Sequence, residues 1–130
     1  MSSAKIPEDR RYTKQHEWVR EDKGELVVGI TDHAQGELTD IVFVGLPAVG
    51  KATKAGQSVL TLESVKTVAD VYAPADGAVT AVNEELKKHP ELVNQDPYGR
   101  GWVYRMKPTG APVGLLSAAE YTPLAAASSH

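Results

Sequence analysis

The chain contains no cysteine, which excludes disulfides, thiolate nucleophiles and zinc–thiolate centres. Any thiol or disulfide chemistry must come from something attached to it. Its 4 histidines, His16, His33, His89 and His130, are scattered with no i, i+4 pair and no HExxH-like spacing, so no metal site is expected. No apolar run approaches the ~20 residues of a membrane span. Positive charge is not in excess, with 14 Lys and Arg against 17 Asp and Glu, which argues against nucleic-acid binding through a basic surface. The opening stretch Met1 to Arg10 has no apolar core and carries acids, so it reads as neither signal nor transit peptide, and a cytoplasmic protein is expected.

Familiar catalytic patterns are missing too. Gly45-Leu46-Pro47-Ala48-Val49-Gly50-Lys51 has phosphate-loop spacing, but Ala52 offers no hydroxyl, Pro47 removes an amide and no helical pattern follows. Gly99-Arg100-Gly101 precedes a strand pattern rather than joining strand to helix. There is no GxSxG elbow. Glu84, Glu85 and Glu120 read as acids at helix starts, where the dipole favours them. As a free-standing enzyme the chain offers no constellation.

At 130 residues the chain is long enough for one domain with a real core. Residues 1–11 read as a flexible polar segment, 12–122 as a single domain and 123–130 as a flexible tail. His16-Glu17-Trp18-Val19-Arg20 and Glu25-Leu26-Val27-Val28-Gly29-Ile30 flank Asp22-Lys23-Gly24 as strand, turn, strand. Asp32 is positioned to cap a short helix with Gln35 at its third position. Asp40-Ile41-Val42-Phe43-Val44 is almost continuously apolar, which predicts a buried strand at a sheet centre. Residues 49–57 read as loop, Ala78 to Val82 as a strand, and Asn83 as the cap of a one-turn helix. The stretch His89 to Gly101, rich in proline, glycine and asparagine, predicts loop. Trp102 to Met106 is the last strand, and Ser117 with Glu120 forms a capping box for a helix that Pro123 truncates or kinks. Gly29, Gly45, Gly56 and Gly77 recur near strand ends, where a small barrel bends. Roughly seven short strands with peripheral helices predict a mostly β sandwich or barrel.

The most informative stretch is Val59 to Pro74. Two β-branched runs flank Lys66, which predicts a hairpin with Val65 and Lys66 at its tip. Because a β-branched residue resists positive φ, a type I turn is expected rather than type I′. Such a lysine is ordinarily a solvated charge that discourages edge-to-edge aggregation. Its alternative is a covalent attachment point.

Several separated blocks favour the alternative. Tyr12-Thr13-Lys14 with His16-Glu17-Trp18-Val19, Gly29 to Gln35, Asp40 to Val44, Glu63-Ser64-Val65-Lys66, Tyr72-Ala73-Pro74, Pro90 to Asn94 and Asp96 to Gly99 occur in order. The chain resembles the H protein family of the glycine cleavage system, lipoyl carriers, from about Tyr12 to Tyr121. The resemblance implies a lipoyl/biotinyl-type flattened barrel-sandwich with short peripheral helices and a C-terminal helix. It implies lipoate in amide linkage to Lys66, with Glu63 and Gly77 read by the lipoate-attaching enzyme. Glu17 and Asp70 are nominated as carboxylates of a cleft that shelters the loaded arm, against the plainer reading that both are surface acids.

The family's role is non-catalytic. It shuttles the aminomethyl group of glycine from a pyridoxal-phosphate glycine decarboxylase to a folate-dependent aminomethyltransferase and is reoxidised by dihydrolipoamide dehydrogenase, in glycine catabolism. A monomer with transient partner encounters is expected. Two residues depart from the family's habit: Gly45, where a glutamate is common, and Thr39, where glycine precedes the aspartate. The competing readings are a lipoyl domain or lipoyl relay serving 2-oxoacid dehydrogenase complexes, a biotin carrier, and an unmodified binding module. Lipoyl domains usually read Asp-Lys-Ala at the tip and biotin carriers flank their lysine with methionine, whereas here Val65 precedes Lys66 and Met106 lies far away.

Overall fold

A computed structural model describes residues 5–128. Nine strands form two antiparallel sheets: β1 (Arg11–Tyr12), β2 (Glu17–Asp22), β3 (Glu25–Ile30), β4 (Ile41–Val44), β5 (Ala52–Thr53), β6 (Ser58–Ser64), β7 (Val68–Tyr72), β8 (Gly77–Val82) and β9 (Tyr104–Pro108). The larger sheet runs β1-β2-β3-β9-β8-β5 and the smaller β4-β6-β7. They face each other as an open sandwich, with Val19, Val28, Leu62, Val71, Val79 and Met106 buried between them. Helices α1 (Asp32–Leu38), α2 (Glu85–Lys88), α3 (Leu92–Gln95) and α4 (Ala118–Ser128) lie at the margins.

β3 shows why the apolar pattern works here. Leu26, Val28 and Ile30 face the core between the sheets. Val27 points the other way, into a second cluster with Tyr12, Trp18, Tyr121 and Ala125 under α4. Each such side chain contributes roughly 1.5–3 kcal/mol on burial. Gly29 carries no side chain because the Trp18 ring occupies that space, 2.6 Å from where a Cβ would stand. The β2–β3 turn places Lys23 (φ 54°) and Gly24 (φ 82°) in the left-handed region, as a tight two-residue hairpin requires.

Several expectations need correction. β4 is an edge strand, not a central one. A register irregularity between Ile41 and Phe43 lets Val42 and Phe43 face outward, 52% and 53% exposed. A continuous apolar run marks burial only when both faces are covered, and here only one is. β1 and β5 are too short to show as alternation. Helix α3 interrupts the predicted loop because Leu92 and Val93 pack into the core, 7% and 0% exposed. The N-cap of α1 is Thr31, whose hydroxyl accepts from the Ala34 amide, while Asp32 opens the first turn.

Within the described residues, the segment before β1 makes contacts with the body of the domain. The Lys5 amide donates to Asp32 at 2.9 Å, and the Arg10 guanidinium lies 4.6 Å over the Trp18 ring. Residues 1–4 of the expected flexible segment lie outside the described residues. The capping box forms as read, with Ser117 N–H to Glu120 Oε1 at 2.8 Å and Glu120 N–H to Ser117 Oγ at 3.1 Å. The helix then continues through Pro123 to Ser128. Burial of Tyr121 and Ala125 against the Trp18 cluster offsets the hydrogen bond that Pro123 removes. Of the expected tail, only Ser129 and His130 lie outside the described residues.

Candidate functional site

Lys66 stands at the tip of the β6–β7 hairpin, as read from the sequence. The last cross-strand pair is Glu63 with Val68, and the Ser64 amide donates to the Thr67 carbonyl at 2.8 Å. Neither Val65 nor Lys66 has a positive φ, consistent with the expected exclusion of a type I′ turn. What the sequence reading missed is Ser64. Its hydroxyl accepts from the Lys66 and Thr67 amides at 3.1 and 3.0 Å, so a side chain braces the tip from inside. A serine two residues before the lysine was the available signal.

Two further contacts fix the tip against its neighbours. The Val65 amide donates to the Asp40 carbonyl at 3.0 Å. The Lys66 ammonium donates to the Glu37 carbonyl at 2.9 Å, an orphan acceptor in the last turn of α1, where the helix dipole favours a cation. The lysine is otherwise exposed.

Glu37 leads directly to a groove. A cavity of about 170 Å³ has Ile30, Ala34, Leu62 and Ala69 as apolar wall and Glu17, Glu37 and Asp70 as acids. Strands β2 and β7 and helix α1 thus bring together Glu17, Asp70 and the surface on which Lys66 rests. Glu17 is no surface acid: it is 2% exposed. Its Oε1 accepts from the Thr13 hydroxyl at 3.0 Å and its Oε2 from the Tyr72 amide at 2.6 Å. Burial raises its pKa to about 7 despite both hydrogen bonds, which oppose the rise. Asp70 is exposed and accepts from the Ser58 hydroxyl at 2.7 Å. A second cavity of about 240 Å³ lies on the other side of Glu17, lined by Lys14, Tyr72, Pro74 and Val113.

Glu63 and Gly77 separate. Glu63 is exposed beside the tip, between Phe43 on β4 and Val68 on β7. Gly77 comes after the base of the hairpin, opening β8 against Thr53 and Pro108. A Cβ there would stand 2.1 Å from the Lys107 carbonyl oxygen, so close strand packing alone demands glycine.

Scattered in sequence, His16 and His33 meet in space, their ring centroids 4.6 Å apart. The pairing of Glu17 with Ile30 explains it, since it sets His16 beside Thr31, whose amide donates to the His16 carbonyl at 3.0 Å. His16 has φ 67° and its Nδ1 lies 2.6 Å from the Tyr121 hydroxyl. Burial, then the neighbouring His33, lower its pKa. Among the described residues no cluster of three or more His, Asp or Glu could hold a metal ion.

Comparison with known proteins decides the family. The family description "Glycine cleavage H-protein" matches residues 10–126. The chain belongs to the glycine cleavage H-protein family. A glycine cleavage system H protein of Herpetosiphon aurantiacus is 56% identical over 116 residues, covering 89% of this chain and 90% of the relative. One from Thermus thermophilus is 54% identical over 103 residues, 79% and 80% of the two chains. The crystal structure of an H protein from Mycobacterium marinum superposes with a TM-score of 0.86 at 44% identity, covering 91% of this chain and 97% of that one. Membership accounts for the two-sheet sandwich. No helix of the described residues is long and apolar enough to cross a membrane.

Proposed function

We propose that this chain is the lipoyl-carrying shuttle of a glycine cleavage system, with lipoate in amide linkage to Lys66. The observation that carries the reading is the placement of Lys66: it is exposed on a hydrogen-bonded tip and its Nζ rests on Glu37, a wall residue of the groove that contains Glu17 and Asp70. The amine fits attachment, since it is held by a single carbonyl and walled in by nothing. When bound, lipoate supplies a reducible disulfide and an aminomethyl-carrying thiol, which a chain without cysteine cannot.

The rest is done by the protein's own residues. Ser64 fixes the tip, so a partner meets a preset loop rather than a disordered one. Acylation removes the Lys66 charge and breaks its ammonium contact with the α1 carbonyl end, freeing the side chain to lie along apolar surface. Ile30, Ala34, Leu62 and Ala69 exclude water along the groove, and Glu17 and Asp70 supply counter-charge for a cationic head. Glu63 serves the lipoate-attaching enzyme as a mark beside the tip, and Gly77, where β8 packs closely on β9, is the second position it reads.

The partners are the pyridoxal-phosphate glycine decarboxylase, the folate-dependent aminomethyltransferase and dihydrolipoamide dehydrogenase, met in the cytoplasm. We assign the chain no catalytic residue. The test is reconstitution with these three enzymes. Glycine-dependent CO₂ release should require the lipoylated chain, and Glu17→Gln with Asp70→Asn should speed hydrolytic loss of the loaded head about tenfold or more, the loss of roughly 1.4 kcal/mol of holding. Unchanged hydrolysis in the double variant removes the groove assignment, and CO₂ release without lipoylation removes the carrier assignment.

A further inference from the structure

Glu17 is the only buried carboxylate among the described residues, and its hydrogen-bond partners are Thr13 and the Tyr72 amide. A third group faces it from across the sheet. Glu17 of β2 pairs with Ile30 of β3, and two residues along β3, Val28 pairs with Tyr104 of β9. Side chains directly paired or two apart on a strand share a face. Glu17, Ile30, Val28 and Tyr104 therefore all point between the sheets, where the last three are part of the core.

Tyr104 is 0% exposed, and its hydroxyl has no hydrogen-bond partner among the described residues. Native cores seldom leave such a group unpaired, because desolvating it costs about 1–3 kcal/mol. Its phenol is pushed well above the ordinary value, first by burial and then by the charge of Glu17, which places the two groups within electrostatic reach. We propose that Tyr104 is a positioning residue for Glu17, its hydroxyl linked to that carboxylate through one bridging water that serves either protonation state. A hydroxyl both donates and accepts, so Glu17 can remain neutral beneath an empty groove and ionise when a cation enters it.

The inference rests on the reading that the groove receives a cationic arm. The other charged or titratable groups facing Glu17 do not substitute for Tyr104. Lys14 lines the opposite cavity, and the groove wall itself holds no lysine or arginine. His16 points its Nδ1 at the Tyr121 hydroxyl and burial lowers its pKa, Glu37 and Asp70 add like charge at the mouth, and Tyr72 presents only its backbone amide.

The test is a carbon-13 carboxyl NMR titration of Glu17 in the full unmodified chain. Tyr104→Phe keeps the ring and removes only the hydroxyl. Because hydrogen bonds to the charged form are the stronger, this variant should raise the Glu17 midpoint by about one pH unit, a tenfold change in proton affinity. Tyr12→Phe is the control, since that hydroxyl bonds the Pro7 carbonyl instead, and it should leave the midpoint in place. A midpoint unmoved by Tyr104→Phe, or moved equally by Tyr12→Phe, overturns the proposal. If the midpoint moves as expected while the loaded head of Tyr104→Phe is lost at the wild-type rate, the pairing stands and the groove reading fails.

Discussion

At Glu17 a single residue sets a pH dependence of definite sign. Its pKa is about 7 in the folded protein against an ordinary 4.5, so between those values the folded state holds a proton that the unfolded state has released. Stability contributed by this group therefore falls as pH rises from 4.5 to 7, and above 7 the buried ion costs about 3 kcal/mol. Glu17→Gln keeps an acceptor for Thr13 or Tyr72 and removes the charge. Urea unfolding of both proteins at about pH 5 and about pH 8 should show the glutamine variant gaining about 2.5 kcal/mol relative to wild type between the two. An equal difference at both pH values contradicts the assignment. Taking the difference cancels His16, whose lowered pKa makes stability rise with pH just below 6.5. It also cancels Asp9, Glu25 and Glu120, whose lowered values act below the ordinary carboxylate range. A side chain that costs stability at neutral pH fits a functional demand better than a structural one.

Among the elements, α1 combines a structural fault with a role in the site. Its C-cap Thr39 has φ 63° and ψ −153°, a region essentially reserved for glycine and worth roughly 1–3 kcal/mol of strain for other residues. Thr39 stands where the family's habit is glycine, and this backbone conformation is the physical reason for that habit. Thr39→Gly should raise stability by about 1–2 kcal/mol, read as a higher urea midpoint with unchanged slope; no gain would show that the cap is unstrained. Local pattern was a good guide where local chemistry governs: the Lys66 hairpin, the Lys23-Gly24 turn and the Ser117–Glu120 box all depend on residues within a few positions of one another. It failed where distant packing governs. Phe43 looked buried because it is apolar, yet β4 has no strand on its far side. Pro123 by pattern truncates or kinks the helix, and with Trp18 and Tyr12 supplying a surface α4 is not truncated there.

On the scale of the whole molecule, the candidate site joins segments that no local reading could assemble. Lys66 and its tip were legible, but the burial of Glu17 needs β7 laid across β2, and its link to Tyr104 needs β9 beside β3. The sandwich sets a hydrogen-bonded tip above a groove with a buried, titratable floor, and that is the arrangement a carrier needs to expose and then shelter its load. The role of the whole molecule depends on what Lys66 carries. The direct measurement is mass spectrometry of the intact chain and of its peptides after co-expression with a lipoate-attaching enzyme and lipoate. A single lipoyl-sized gain located on the Lys66 peptide, and no gain in Lys66→Arg, is the expected result. A chain that gains nothing, or a gain that persists in Lys66→Arg, contradicts it.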